Sequence, residues 1–158
     1  MWGVDMRYRK AEQKDCEEIH RLICILEEKC LPWEAFLRIY HTQMCDSHYE
    51  CLICEEDAHV IGVLNLRLEQ QLHHCERIAE IVEFAVAPSY RGQGIGKELL
   101  SLACQRAKDL GCTQIEAACN QLRLDTHRFY LREGMHNFHF KFSKSLTGDI
   151  SAENVLGK

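Results

Sequence analysis

The sequence predicts an α/β fold, a mixed central sheet with helices on both faces. Three observations predict it. Residues Ala79 to Lys97 read A-E-I-V-E-F-A-V-A-P-S-Y-R-G-Q-G-I-G-K, a β-branched apolar stretch, a glycine turn and the start of a helix. The order along the chain is strand, two helices, a run of strands, helix, strand, helix, strand. At 158 residues with 46% hydrophobic content, the chain has material for one core.

Each element has its own signal. Met6 to Arg9 reads as a short strand. Asp15 is positioned to cap a helix, with Glu18 three residues on completing a capping box, and Ile19, Leu22, Ile23 and Leu26 form its apolar stripe. Pro32 suits the first turn of a second helix, continued by Phe36, Leu37, Tyr40 and Met44. Tyr49 to Cys54 and His59 to Leu68 form a hairpin about the turn Glu55-Glu56-Asp57, and Gln70 to Arg77 turns into the central strand. Pro88 ends that strand because proline cannot donate to a ladder. Leu99, Leu100, Ala103, Ala107 and Leu110 recur at helical spacing up to Gly111. Gln114 to Ala118 is a strand, Leu124 to Glu133 a helix stopped by Gly134, and Phe138, Phe140 and Phe142 alternate as the buried face of a last strand. Residues 1–146 read as a single domain, and 147–158, small and polar, as a mobile tail.

The net charge of -5 argues against nucleic acid or an anionic membrane as partner. No apolar run is long enough to span a bilayer, and the N-terminus does not read as a signal peptide, so a cytoplasmic location is expected. The ten cysteines are scattered and read as reduced, mostly buried residues. Cys51-x-x-Cys54 has no second pair, and within a strand its thiols point to opposite faces, which argues against structural zinc.

The glycine turn has the layout of an anion cradle, since glycines let the backbone approach and the first helical N–H groups face the ligand. It is not a P-loop, because Glu98 stands where a hydroxyl is needed after Gly96-Lys97. It is not the dinucleotide fingerprint either, whose third glycine falls one residue later. What remains, R-G-Q-G-I-G with Arg91 leading Gly94 and Gly96, resembles the [QR]-x-x-G-x-[GA] pyrophosphate loop of the GNAT acetyltransferase superfamily. The element order and R-F-Y-L-R-E-G-M (Arg128 to Met135) resemble that family as well. Within it, L-H-H-x-x-x-I-x-E-I-x-E (Leu72 to Glu83), H-R-F-Y-L-R-E-G, H-F-K-F-S-K-S-L and L-I-C-x-L are similar to the aminoalkylphosphonate N-acetyltransferases.

The resemblance implies acetyl-CoA as cosubstrate, held by Phe84, Ala85, Val86, Arg91, Gly92, Gln93, Gly94, Ile95, Gly96 and Lys97. Asn120 joins this set with a departure: the family's asparagine lies seven residues before the tyrosine, where this chain has Arg123. Acetyl transfer to an amine needs a proton acceptor, a polarised carbonyl and a donor for the departing thiolate. Glu80 and Glu83 interrupt an apolar strand, where burial raises a carboxylate's pKa and makes it a better base. Counting back from Arg91, the resemblance implies the family's glutamate base at Glu80; the bland alternative, which applies more to Glu83, is an ion pair with Arg77 or Arg123. The two glutamates, three apart, point to opposite faces unless a bulge intervenes, as the family's strand implies. Tyr130, four residues before Gly134, matches the family's general acid; on pattern alone it equally suits a packed helix face.

Adjacent His73 and His74 precede the strand. They read either as surface residues or, with Glu80 or Glu83, as the divalent-metal ligands that the aminoalkylphosphonate resemblance implies. Arg77, Arg123, His127 and Arg128 are candidate donors to an acidic substrate, whereas Arg67 reads as solvated surface charge. The expectation is direct acetyl transfer to a small primary amine bearing a phosphonate or similar acid, with a homodimer left open. A protein or peptide acetyltransferase and a non-catalytic acyl-CoA-binding module are the rival readings.

Overall fold

The computed structural model describes residues 5–148; of the expected tail, 149–158 lie outside the described residues. The chain divides into two compact units, one ending at Ala118 and one beginning at Cys119. The first contains β1 (Arg7–Lys10), α1 (Cys16–Glu27), α2 (Trp33–Met44), β2 (Tyr49–Glu56), β3 (His59–Gln71), β4 (Glu76–Val86), α3 (Ile95–Asp109) and β5 (Cys112–Ala117). The second contains α4 (Leu124–Arg132).

The five strands form one sheet in the order β1-β2-β3-β4-β5. Pairs β1–β2, β2–β3 and β3–β4 are antiparallel, and β4–β5 is parallel because α3 carries the chain back between them. Its middle is apolar on both faces: Ile53, Val63, Leu64, Leu66, Ile78 and Ala79 are fully buried. A Cβ built at Gly62 would come within 2.9 Å of Leu99 and 3.2 Å of Ile95, so the missing side chain lets α3 pack closely on that face. Asn65, three residues on and therefore on the opposite face, meets Gln43 of α2. The expected arrangement of a mixed sheet with helices on both faces is the one observed.

Three local expectations are corrected. Asp15 precedes α1 but does not cap it. Its carboxylate accepts from Arg9 at 2.7 and 2.9 Å and from the Glu12 N–H, and the capping box is Glu12 with Asp15, around a short 3-10 turn. Arg9 also reaches Glu55 at 2.6 Å, a competing demand that the local spacing did not reveal. The β2–β3 turn is Asp57-Ala58, both at positive φ, with Glu55 and Glu56 still in β2. Finally, residues 136–144 form no strand. Phe138, Phe140 and Phe142 are 79, 79 and 91% exposed. Their alternation has the strand period, but a strand stands in water only with a ladder partner and a surface to cover.

Candidate active site

The glycine turn becomes a helix N-terminus with open donors. After β4 a single 3-10 turn, Pro88–Tyr90, leads into the loop. Gly92 and Gly94 take φ of 75° and 86°, values that side-chain-bearing residues rarely adopt. Gly94 is the N-cap of α3 and brings no side chain to it, and the first helical bond runs from the Glu98 N–H to the Gly94 carbonyl at 3.0 Å. The N–H groups of Ile95, Gly96 and Lys97 therefore have no partner within the helix, the arrangement that receives a phosphate. Gly96 is helical, so the loop ends two residues earlier than the glycine spacing suggested. Among the described residues, a Cβ at Gly92 or Gly94 would meet nothing within 4 Å beyond its chain neighbours. Arg91 Nε donates to the Val86 carbonyl at 3.1 Å and Gln93 Nε2 to the Ser89 carbonyl at 3.2 Å, bracing the turn.

Next to this loop β4 outruns β5. The last β4–β5 partners are Ile81 and Ala117, yet β4 continues to Val86, paired with β3 on its other side. Phe84, Ala85 and Val86 therefore lie beyond the end of β5, continuous with the loop.

The β3–β4 register contains a bulge. Leu66 faces Ile81 and Asn65 faces Glu83, leaving Val82 as the extra residue. Glu80 pairs with Arg67 Nη2 at 2.5 Å, and Glu83 Oε2 accepts from Asn65 Nδ2 at 2.8 Å. Asn65 and Arg67 are two apart on β3 and share a face, so the bulge places both glutamates on that face as well. Their surroundings differ. Burial pushes the Glu83 carboxyl above the usual carboxylate range, only partly offset by the Asn65 N–H, and Glu27 adds to the rise. Glu80 has one oxygen committed to a guanidinium. The partner is Arg67 and not Arg77, whose Nη1 donates to the Leu110 carbonyl at 2.8 Å. Arg67, read from the sequence as surface charge, is held by Glu80 and lies 3.7 Å from Glu69.

His73 and His74 lie in the turn between β3 and β4, their rings 4.2 Å apart. His74 Nε2 is 3.5 Å from Glu116 Oε1, and Glu116 on β5 is the register partner of Glu80. Among the described residues, no three His, Cys, Asp or Glu side chains gather as metal ligands. The expected donor set does not come together: Glu80 is turned to Arg67, Glu83 to Asn65 and His74 to Glu116. Cys51 and Cys54 are both buried and free, on opposite faces of β2 as expected.

In the second unit, Asn120 organises the entry to α4. Its Oδ1 accepts from the Leu122 N–H at 2.8 Å, and its carbonyl accepts from the Arg123 N–H and, at 2.8 Å, from the His127 ring Nε2. Arg123 stands at the N-cap. Tyr130 is half-buried, and burial, with Cys119 nearby, pushes its phenol up to about 12, so it carries its proton at neutral pH.

Gln43, Asn65 and Glu116 were absent from the sequence reading. Asn65 had a signal: a single amide inside the apolar run V-I-G-V-L-N-L, where a polar side chain must find a partner. Gln43 and Glu116 lie on amphipathic elements and had none.

Residues 11–135 match the model of the acetyltransferase (GNAT) family. The chain is 36% identical over 138 residues to the aminoalkylphosphonate N-acetyltransferase of Salmonella typhimurium, covering 87% of this chain and 90% of that protein. Among the solved structures that share the fold are two acetyltransferases. The glucosamine-6-phosphate N-acetyltransferase of Arabidopsis thaliana has a TM-score of 0.77 at 21% identity, over 90% of this chain and 99% of its own. An aminoglycoside N-acetyltransferase in complex with CoA has a TM-score of 0.82 at 18% identity, over 91% of this chain and 97% of its own. The match to the family model over most of its length and the relative at 36% identity place the chain in the GNAT family, as an acetyl-CoA-dependent N-acetyltransferase.

Proposed function

We propose that this enzyme transfers the acetyl group directly from acetyl-CoA to the primary amine of a small acidic molecule of the aminoalkylphosphonate type. The acceptor class is supported by the relative of that name at 36% identity. The observation that carries the mechanism is Glu83, half-buried on the bulged strand and beyond the last β4–β5 pair, Ile81–Ala117. In this reading the uncapped N-terminus of α3 holds the CoA pyrophosphate and Glu83 accepts the proton from the ammonium. Tyr130, protonated at neutral pH, returns a proton to the thiolate. Glu80, the other candidate base, serves chiefly to hold Arg67 toward the acidic group. No step is routed through a metal, because the candidate ligands are turned to other partners. Residues 1–146 act as one acetyltransferase domain in the cytoplasm.

The test is an acetyl-CoA assay over a panel of amines, including 2-aminoethylphosphonate, its carboxylate analogue, an amino sugar phosphate and a lysine peptide, each with and without chelator. Preferred turnover of the phosphonate, unaffected by chelator, is expected. Preference for the peptide overturns the acceptor class, and chelator-dependent turnover overturns the metal-free mechanism.

A further inference from the structure

Asn65 sits in the middle of β3 and is 7% exposed, between Leu64 and Leu66, which are fully buried. Its Nδ2 donates twice, to Gln43 Oε1 at 2.9 Å and to Glu83 Oε2 at 2.8 Å. Its Oδ1 is buried with no hydrogen-bond partner among the described residues. A buried carbonyl oxygen left unfilled is destabilising and uncommon, so its presence needs a reason. The two acceptors supply one. They approach the amide from different elements, α2 and β4, and the Glu83 carboxylate, which can only accept, requires the nitrogen. The opposite orientation would set Oδ1 against a carboxylate oxygen. The bulge points the same way. Continuing the Leu66–Ile81 register without it would place Val82 opposite Asn65; the extra residue brings Glu83 there instead.

We propose that Asn65, its amide fixed by Gln43, is a positioning residue that orients the Glu83 carboxylate and sets the pH at which it takes a proton. The inference rests on reading Glu83 as the proton acceptor. With Oε2 held by Asn65, the carboxylate is fixed in one orientation and Oε1 is left for the amine proton.

The groups facing Glu83 make Asn65 the main lever. They are Gln43 from α2, the Cys51 thiol from β2, Asn65 from β3 and Glu27 from the last turn of α1, while Glu80 on β4 itself is paired with Arg67. Cys51 is neutral, its thiol pushed up to about 12 by burial, and Glu27 opposes ionisation of Glu83. Asn65 favours it. Removing that N–H leaves the carboxylate holding its proton to higher pH.

The experiment is kcat/KM against pH for Asn65→Leu, Asn65→Ser and Gln43→Leu, with acetyl-CoA and the best amine of the panel, and Glu83→Gln as reference. The acid limb of Asn65→Leu is expected to move up by about one pH unit, the scale of a lost hydrogen bond to a charged group. KM for acetyl-CoA should stay unchanged. Asn65→Ser, which keeps a donor, should recover part of the shift, and Gln43→Leu should show a smaller one in the same direction. A limb that stays in place in folded Asn65→Leu overturns the proposal. If that variant does not fold, an unmoved limb in Asn65→Ala, which also removes the donor, does so. If Glu83→Gln itself retains the limb, the base reading fails first and takes this inference with it, an outcome distinguishable because it does not involve Asn65.

Discussion

Glu80 and Glu83 stand on one strand and, through the bulge at Val82, on one face, yet their partners differ in kind. Glu80 is held by a guanidinium and Glu83 by a neutral amide. A guanidinium neutralises a carboxylate and commits its lone pairs. An amide orients it and leaves its charge, and therefore its appetite for a proton, largely to burial. Two identical side chains three residues apart are thus suited to different work, one to holding an arginine and the other to receiving a proton.

The largest effect is expected at Glu83. Glu83→Gln preserves shape and the bond to Asn65 but removes the proton acceptor, and turnover should fall on the order of 10²-fold or more with acetyl-CoA binding intact. Steady-state kinetics with calorimetric CoA binding read both. Tyr130→Phe should lower turnover by roughly 10²-fold at unchanged acetyl-CoA affinity, the low end for general-acid loss. A fall in thermal stability at normal turnover would return Tyr130 to packing. Gly94→Val should weaken CoA binding at least tenfold, about 1.4 kcal/mol, because it fills the open side of the cradle and disfavours a φ of 86°. Calorimetry on the folded variant checks it. Glu80→Gln should have the smallest effect on turnover, a few-fold, and act mainly on KM for the acidic amine by freeing Arg67. A larger drop in kcat than for Glu83→Gln would exchange the roles of the two glutamates.

Much of this was legible in the sequence, where local chemistry decides. The β-branched run, Pro88 and the glycines predicted β4, its end and α3, because φ and hydrogen-bond limits act within a few residues. Glu80 and Glu83 stood out as charges in an apolar strand. Their common face depended on a bulge, which is a property of the β3–β4 pair and not of either strand. The partners Arg67, Asn65, Gln43 and Glu116 come from register and helix placement, so no spacing along β4 revealed them. The failures have the same origin. Asp15 had the position of a cap, but Arg9, brought close by β1, took its carboxylate. Phe138, Phe140 and Phe142 had the period of a strand, with no strand to pair with among the described residues.

The most direct test of the central claim is a paired measurement of kcat/KM against pH for Glu83→Gln and Glu80→Gln beside the parent enzyme. In the parent, burial raises the Glu83 carboxyl, so activity should climb with pH through a limb whose midpoint lies above the ordinary carboxylate value. Glu83→Gln is expected to lose this limb and Glu80→Gln to keep it. A limb retained in Glu83→Gln and abolished in Glu80→Gln would contradict the reading of Glu83 as proton acceptor.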